Sequence, residues 1–487
     1  MNICSLLQGH ATDQADKIAL RQGQTSIEYG ELWRRVEACA ACLYQAGVRP
    51  GHRVALSLAD HQLHLILHYA LPRIGAVILP IDHRWSSREK SAALHAFSAH
   101  CIVVDKPDET LNAFTQLSAG PDWYAEDSSD LPDIQTVSDE MLLISLSSGT
   151  TGRPKGALIS HQQMYQRFVS QWETLGFNPE DRFIAATPLF FGAGRSFAMS
   201  FLAIGAELVL FPPPYEPEAL VETINNSRAN CIFLVPTLLR RLLPLAGDGK
   251  LLPGIDKLVV SGAALYPEEA VAVREKISSG LLGYYASSEG GGISVLQTAE
   301  FAEYGHTAGR ATFRTEIQIV DADGNEVAVG ETGRLRYRGP GVATVFIDSD
   351  GQESGGDDDG WFAPGDLACK LESGHIVLRG RDKEVIIRGG VNIYPAEIEA
   401  VLMQHDAVVE AAVLGEPSAT LGEDIAAFVV TGTTVSDAEM TRHCQQNMAP
   451  YKLPRRFVFS DTLPKKTSGK IDKQALQAQL NSQPGAH

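Results

Sequence analysis

Residues 143–156 read LISLSSGTTGRPKG. The apolar run Met141-Leu142-Leu143-Ile144 leads into Ser147, Ser148, Gly149, Thr150, Thr151 and Gly152, and Pro154-Lys155-Gly156 closes the segment. Small residues let a backbone wrap an anion, its N–H groups and hydroxyls supply donors, and Lys155 adds a positive charge. The stretch therefore reads as a strand followed by a phosphate cradle. It is not the Walker loop, which needs Gly-x4-Gly-Lys-Ser/Thr, because Pro154 and Gly156 flank Lys155. A flexible Gly/Ser/Thr surface loop is the competing reading, and the closing Pro-Lys-Gly weighs against it.

Outward from this loop, apolar β-rich runs at 53–58, 76–80, 101–104, 208–211, 231–235 and 257–260 alternate with longer amphipathic stretches. That is the sequence form of an α/β domain with largely parallel sheets. From about residue 311 short strands at 316–320, 333–338 and 375–378 are separated by turn signals such as Asp323-Gly324, which predicts a small β-rich subdomain. After Gly380-Arg381 a further α/β unit begins, with a helix at 396–402 and a strand at 426–430. The 487 residues suit roughly three such units.

The net charge of −18 argues against nucleic acid or an anionic membrane as the main partner, without forbidding a positive pocket. No basic start followed by an apolar stretch marks a signal peptide, and no apolar run is long enough to span a membrane. The seven scattered cysteines fit reduced thiols, and with them a cytoplasmic setting, better than a disulfide framework. Cys39 and Cys42 form a lone CxxC in a helix-like pattern ending at Gly47, read as two small buried helix residues rather than a redox pair or half a metal site. His61, His64 and His68 share one helical face; with no acidic partner they are expected on a partly solvated face rather than around a metal. The acidic, Gly-rich run from Asp348 to Gly360 fails the calcium-loop pattern and reads as a surface loop.

Four further segments carry residues capable of chemistry. Gly283-Tyr284-Tyr285-Ala286-Ser287-Ser288-Glu289 ends in a carboxylate, Trp361-Phe362-Ala363-Pro364-Gly365-Asp366 puts an Asp in a tight turn, the run from Gly380 to Pro395 mixes charge and Gly, and Leu463 to Lys470 carries a Lys on a Gly-bearing loop. Singly each is compatible with a solvated turn. In this order, together with 143–156, they resemble the adenylate-forming superfamily of acyl-CoA synthetases, peptide-synthetase adenylation domains and luciferases. The resemblance runs from Ile27-Glu28-Tyr29-Gly30-Glu31-Leu32 to Lys470 and is nearest in motif to acyl-CoA synthetases.

The resemblance implies an α/β fold with a large N-terminal domain over 1–381, made of α/β subdomains plus the β-rich one, and a small mobile C-terminal α/β domain over 382–487, hinged at Lys383. It implies ATP, Mg²⁺ and coenzyme A, or a carrier protein's phosphopantetheine, as cofactors, and a small-molecule carboxylic acid as partner. Ser147, Ser148, Gly149, Thr150, Thr151, Gly152 and Lys155 would hold the β- and γ-phosphates. Glu289 and Thr150 would ligate Mg²⁺, a hard cation that takes oxygen donors. Tyr285 would stack on adenine, with Ser261, Gly262, Ala263 and Ala264 lining the base and Ala286 beside it. Ser288 would approach the α-phosphate, Asp366 and Arg381 the ribose, and Lys470 both the substrate carboxylate and the α-phosphate. Gly389 and Gly390 would border the pantetheine channel after the C-terminal domain rotates.

Departures from the pattern bear on the acid. Ala286 replaces the family's Gly after Tyr. Phe191 stands where His or another aromatic is usual, and Phe191-Gly192 lacks the Asp with which amino-acid-activating relatives pair an ammonium. Phe190, Phe191, Gly290 and Gly291 are candidate pocket residues, although the glycines read equally as a backbone bend. Arg195 either faces the pocket and pairs with a second carboxylate or polar substituent, or starts the helix at 196–204 bonded to backbone; the structural role is favoured. The implied reaction is acid + ATP + CoA to acyl-CoA + AMP + pyrophosphate. A stand-alone enzyme loading a carrier protein, and a non-catalytic nucleotide-binding protein on the same fold, are the alternatives. A homodimer is compatible with the chain.

Overall fold

The computed structural model describes residues 2–59, 61–125, 131–132, 134, 139–147, 155–263, 265–348, 350–357, 359–388, 391–418, 420–466 and 469–482. Among them, two large sheets share the first two thirds of the chain. In one, the strands Ile18–Gln22, Glu207–Leu210, Arg182–Ala185, Cys231–Leu234, Lys257–Val260 and Leu281–Ser287 run parallel in that spatial order. In the other, Cys101–Val104, Arg53–Ser57, Val77–Pro80 and Met141–Ser147 do the same. The expected parallel α/β pattern thus holds in the sheet centres, where strands buried on both faces need no polar alternation. The edges differ: Gly291–Leu296 and Lys155–Ser160 pair antiparallel with their neighbours.

A single apolar core, from Ile3 to Ala343, welds the two sheets together. The helix His61–Arg73 lies in it, and this corrects the expectation of a partly solvated histidine face. His64 and His68 are fully buried, and burial, with Arg195 second, pushes the His68 imidazole down to about 3; the side chain of His61 lies outside the described residues. The face reads as polar by composition, but the helix packs on others all round. The helix Tyr29–Gln45 buries Cys39 while Cys42 is half-buried, and all seven cysteines are free thiols. No helix among the described residues is long and apolar enough to cross a membrane.

Strands Glu316–Val320, Gly333–Arg338, Asp366–Lys370 and Ile376–Arg381 form a separate four-stranded antiparallel sheet, the expected β-rich unit. The acidic run after Asp348 is largely exposed, but it includes the strand Glu353–Gly355, which pairs with Val345–Ile347. A third body is built on Ile386–Arg388, Val391–Ile393, Val408–Ser418, Gly422–Thr431 and Arg456–Phe459, backed by Pro395–Leu402 and Asp437–Asn447. Only the short turn Asp382–Glu384 and Val385 lie between the last strand of the four-stranded sheet and the first of this body.

Candidate active site

Parallel strands end together, so the loops leaving their carboxyl ends face one crevice, and in open α/β sheets that crevice is where ligands bind. A cavity of about 570 Å³ lies there. Ala186 and Thr187 leave one strand, Phe211 the next, then Val235, then Ser261 and Gly262, while Ala286, Ser287 and Ser288 come from the end of Leu281–Ser287 and just beyond it. Leu143 and Ser145 of the second sheet and Met164, Arg167 and Gln171 of the helix His161–Leu175 line it from the opposite side. Gly469 and Lys470, from the small C-terminal body, complete it.

Of the residues singled out in the sequence, Ser261, Gly262, Ala286, Ser288, Phe191, Arg195, Gly291 and Lys470 therefore line one cavity. Ser148, Gly149, Thr150, Thr151, Gly152, Ala264, Gly389 and Gly390 lie outside the described residues, as does the side chain of Ser147. The backbone sets Ser147 opposite Lys155, so the two ends of the 143–156 segment meet across an antiparallel pair. Lys155 and Ala263 are exposed.

Two placements, those of Gly290 and Phe190, correct the sequence reading. Gly290 does not make room for a ligand: a Cβ there would stand 2.3 Å from the Tyr337 hydroxyl, so its missing side chain admits the protein's own tyrosine. Gly291, with φ of +76°, is a backbone bend over Arg167 as well as a lining residue. Phe190 is not a lining residue; it lies under the Arg84 guanidinium, 5.2 Å from it, and 4.6 Å from the Phe191 ring.

At the seam between the bodies the Tyr285 hydroxyl donates to the Asp366 carboxylate, and the Arg381 guanidinium sits 3.2 Å from its other oxygen. Arg381 also donates to the carbonyl of Pro364 at 2.5 Å, which ties it to the turn before Asp366. Lys470 reaches the same neighbourhood. Its ammonium is accessible through the open cavity, yet protein surrounds it closely enough that desolvation, then Arg381, lowers its pKa from the ordinary lysine value. Asp366 and Glu289 pull the other way. Gly469 lets the loop pass the N-terminal body: its φ is +80° and a Cβ would stand 3.1 Å from Thr237 Oγ1.

The turn carrying Ser288 and Glu289 is held from behind by a residue the sequence reading missed. Arg167, 7% exposed, donates to the carbonyls of Gly341 at 2.8 Å, Ser288 at 3.3 Å and Glu289 at 2.5 Å. Nothing in the pattern of the helix His161–Leu175 marks it, since its partners are backbone atoms more than a hundred residues away. Ser287 Oγ lies 2.5 Å from the Tyr337 hydroxyl and accepts from the Gly290 N–H at 3.1 Å, which fixes the next peptide. The Glu289 carboxylate forms no ion pair among the described residues and is half-buried, so it is a free hard-oxygen donor suited to Mg²⁺.

A crevice at the switch from sheet to loop, closed by a lysine from a second body, is the arrangement of adenylate-forming enzymes. The chain belongs to the AMP-binding enzyme family, whose model matches residues 7–346, with the family's C-terminal domain matching residues 397–470. It is 31% identical over 468 residues to a feruloyl-CoA synthase of Amycolatopsis, covering 93% of this chain and 94% of that one. Among solved structures it resembles ATP-bound MatB of Rhodopseudomonas palustris with a TM-score of 0.89, at 26% identity and 99% coverage of both chains. The same protein without ligand superposes at 0.80. The o-succinylbenzoate CoA synthetase of Bacillus subtilis, in complex with its acyl-adenylate, also gives 0.89, at 26% identity and 97% of both chains. The chain is an AMP-forming acid–CoA ligase, a carbon–sulfur bond-forming enzyme that uses ATP, Mg²⁺ and CoA.

Proposed function

We infer that the cavity activates a small carboxylic acid with an apolar body as its adenylate, and that free CoA then takes the acyl group. A carboxylate is a poor electrophile, and attack on the α-phosphorus builds negative charge on the equatorial oxygens and on departing pyrophosphate. Lys470 is the group that meets this charge, and Ser288, which lines the same cavity, is a further donor. Asp366 accepts from the ribose hydroxyls while Arg381 and Tyr285 hold its carboxylate in place. Glu289 and Thr150 would hold Mg²⁺, which when bound would neutralise part of the phosphate charge. Ser147 to Gly152 and Lys155 cradle the β- and γ-phosphates; Ser261 to Ala264 line the base. The observation that carries this reading is that Lys470, from the far end of the chain, lines the same cavity as Ser261 and Ser288.

The hinge is Lys383, in the turn between the last strand of the β-rich sheet and the first strand of the C-terminal body. The N-terminal domain is then 1–381 and the C-terminal domain 382–487. The greater likeness to ATP-bound than to ligand-free MatB supports taking this arrangement as the one that forms the adenylate. Thioester formation then needs the C-terminal domain to turn, withdrawing Lys470 and bringing Gly389 and Gly390 to the thiol. Acid-dependent pyrophosphate release followed by acyl-CoA formation tests the reading. Pyrophosphate release with acyl transfer only to a phosphopantetheinylated carrier protein, and none to free CoA, would shift the acceptor to that protein. Gel filtration decides whether the enzyme is a homodimer.

A further inference from the structure

Arg195 sits in the first turn of the helix Gly192–Ala203, lines the cavity, and is 3% exposed. Among the described residues it has no carboxylate partner. Its Nη1 donates to the carbonyls of Leu189 and Phe190, both at a long 3.3 Å, and its Nε has no hydrogen-bond partner. The surroundings make the missing anion more conspicuous. The charged side chain nearest in effect is Arg167, a second buried guanidinium, and beneath Arg195 lies His68, which burial keeps neutral.

Two further features add positive potential at this end of the cavity. A helix N-terminus carries the positive end of its dipole, so a cation is disfavoured there and an anion favoured. The helix has no side-chain cap: its N-cap is Phe191, and Gly192 and Ala193, whose N–H groups are left over in the first turn, line the cavity beside Arg195. A guanidinium buried without a counter-charge is costly. If its role were only to bond two loop carbonyls, a neutral donor would serve. A planar fork suits a bidentate carboxylate.

We propose that the acid activated here carries a second carboxylate, distal to the one that is adenylated, and that Arg195 with the N-terminus of its helix receives it. The walls between are apolar and aromatic, from Phe197, Phe211, Tyr215, Phe233 and Tyr284, so the body joining the two carboxylates is a hydrocarbon chain or ring. The proposal rests on the assignment of the cavity as the acid site.

The test is acid-dependent pyrophosphate release by the full-length enzyme with acids paired so that one end differs: adipate against hexanoate, and 4-carboxyphenylacetate against 4-methylphenylacetate. The wild type is expected to favour the dicarboxylate of a pair by about tenfold or more in kcat/KM, since a buried ion pair is lost with the monoacid. Arg195→Met is expected to abolish or reverse that preference, with the change mainly in the dicarboxylate's KM, and Arg195→Lys to recover part of it. Equal use of both members of each pair by the wild type overturns the proposal while leaving adenylation standing. Equal losses on diacid and monoacid in Arg195→Met also overturn it and make Arg195 a loop support. Should Arg195→Met not fold, the wild-type comparison alone decides. No pyrophosphate release with any of the four acids, against release with acids of another kind, overturns the proposal but not the reading of the reaction; no release with any acid overturns both.

Discussion

Replacing Arg167 with Met should disturb the Ser288–Glu289 turn by removing the guanidinium that holds it from behind. The side chain keeps its apolar stem, so packing changes little, but three carbonyls lose their donor. The carbonyl of Glu289 keeps the N–H of Ala343 at 2.9 Å, which leaves those of Ser288 and Gly341 short of a partner. Each stranded buried acceptor costs about 1–3 kcal/mol. Against this stands the relief of no longer burying a guanidinium that burial already pushes down to about 10. The net expectation is a loss of about 3 kcal/mol in urea unfolding. The functional consequence follows from the same bonds: a Ser288–Glu289 turn free to drift by about 1 Å should lower adenylation by about 10²-fold. It should also raise the Mg²⁺ concentration needed for half-maximal pyrophosphate release, because the Glu289 carboxylate rides on that turn. Arg167→Lys, with one reachable carbonyl at a time, should fall between. Wild-type stability and an unchanged Mg²⁺ requirement in Arg167→Met would refute the positioning argument.

Lys470→Ala should reduce acid-dependent pyrophosphate release by about 10²–10³-fold while leaving thioester formation from a supplied acyl-adenylate near the parent rate; equal losses in both half-reactions would contradict the assignment. Asp366→Asn should raise the KM for ATP about tenfold to a hundredfold, from a lost hydrogen bond to a charged acceptor, with the KM for the acid little changed. His161 is buried, its Nδ1 accepts from the Ile3 N–H at 3.2 Å, and burial lowers its pKa from 6.5 to about 4. Its neutral form is therefore favoured by folding: the stability it contributes is complete above pH 6.5 and drains away as the pH falls toward 4, by about 3 kcal/mol. Unfolding titrations of His161→Gln should show a flatter acid slope over that window, and a slope equal to the parent's would remove His161 from the account.

What was legible in the chain, and what was not, divides by the range of the interaction. The strands at 101–104, 257–260, 316–320 and 333–338 are observed at those bounds, because runs of β-branched and aliphatic residues between turn signals encode them locally. The site segments were legible as segments since each packs hydroxyls, glycines and a charge into a few residues. Their convergence is a property of topology: the carboxyl ends of parallel strands meet only once the strand order is known. The misjudged residues are those whose meaning lies across the fold. Gly290 is small because Tyr337 from another sheet stands over it, and His64 and His68 are buried because their helix lies inside the core. Arg167 went unnoticed for the same reason, and Arg195 was assigned to backbone bonding that the structure provides only weakly, through two long contacts from one nitrogen.

The distribution of charge at the seam gives the proposed closure of the C-terminal body over a nucleotide a physical basis. Desolvation disfavours the charge of the Lys470 ammonium, and so do Arg381 and Lys466; Asp366, already occupied by Arg381 and Tyr285, and Glu289 compensate only in part. In a protein whose net charge is −18, such a cluster of cations is built against the average field of the molecule. Without phosphates this arrangement is electrostatically strained, so the loop carrying Lys470 has reason to leave. On the proposed mechanism a triphosphate would match the same cations and hold the loop. Gly469 makes the motion sterically cheap, since at that crossing over Thr237 any other residue would meet both an unfavourable φ and a close oxygen. On the proposed mechanism, loss of pyrophosphate would then remove most of the anionic charge that holds the loop in, so formation of the adenylate would itself weaken the closed arrangement and free the C-terminal body for the thiol step.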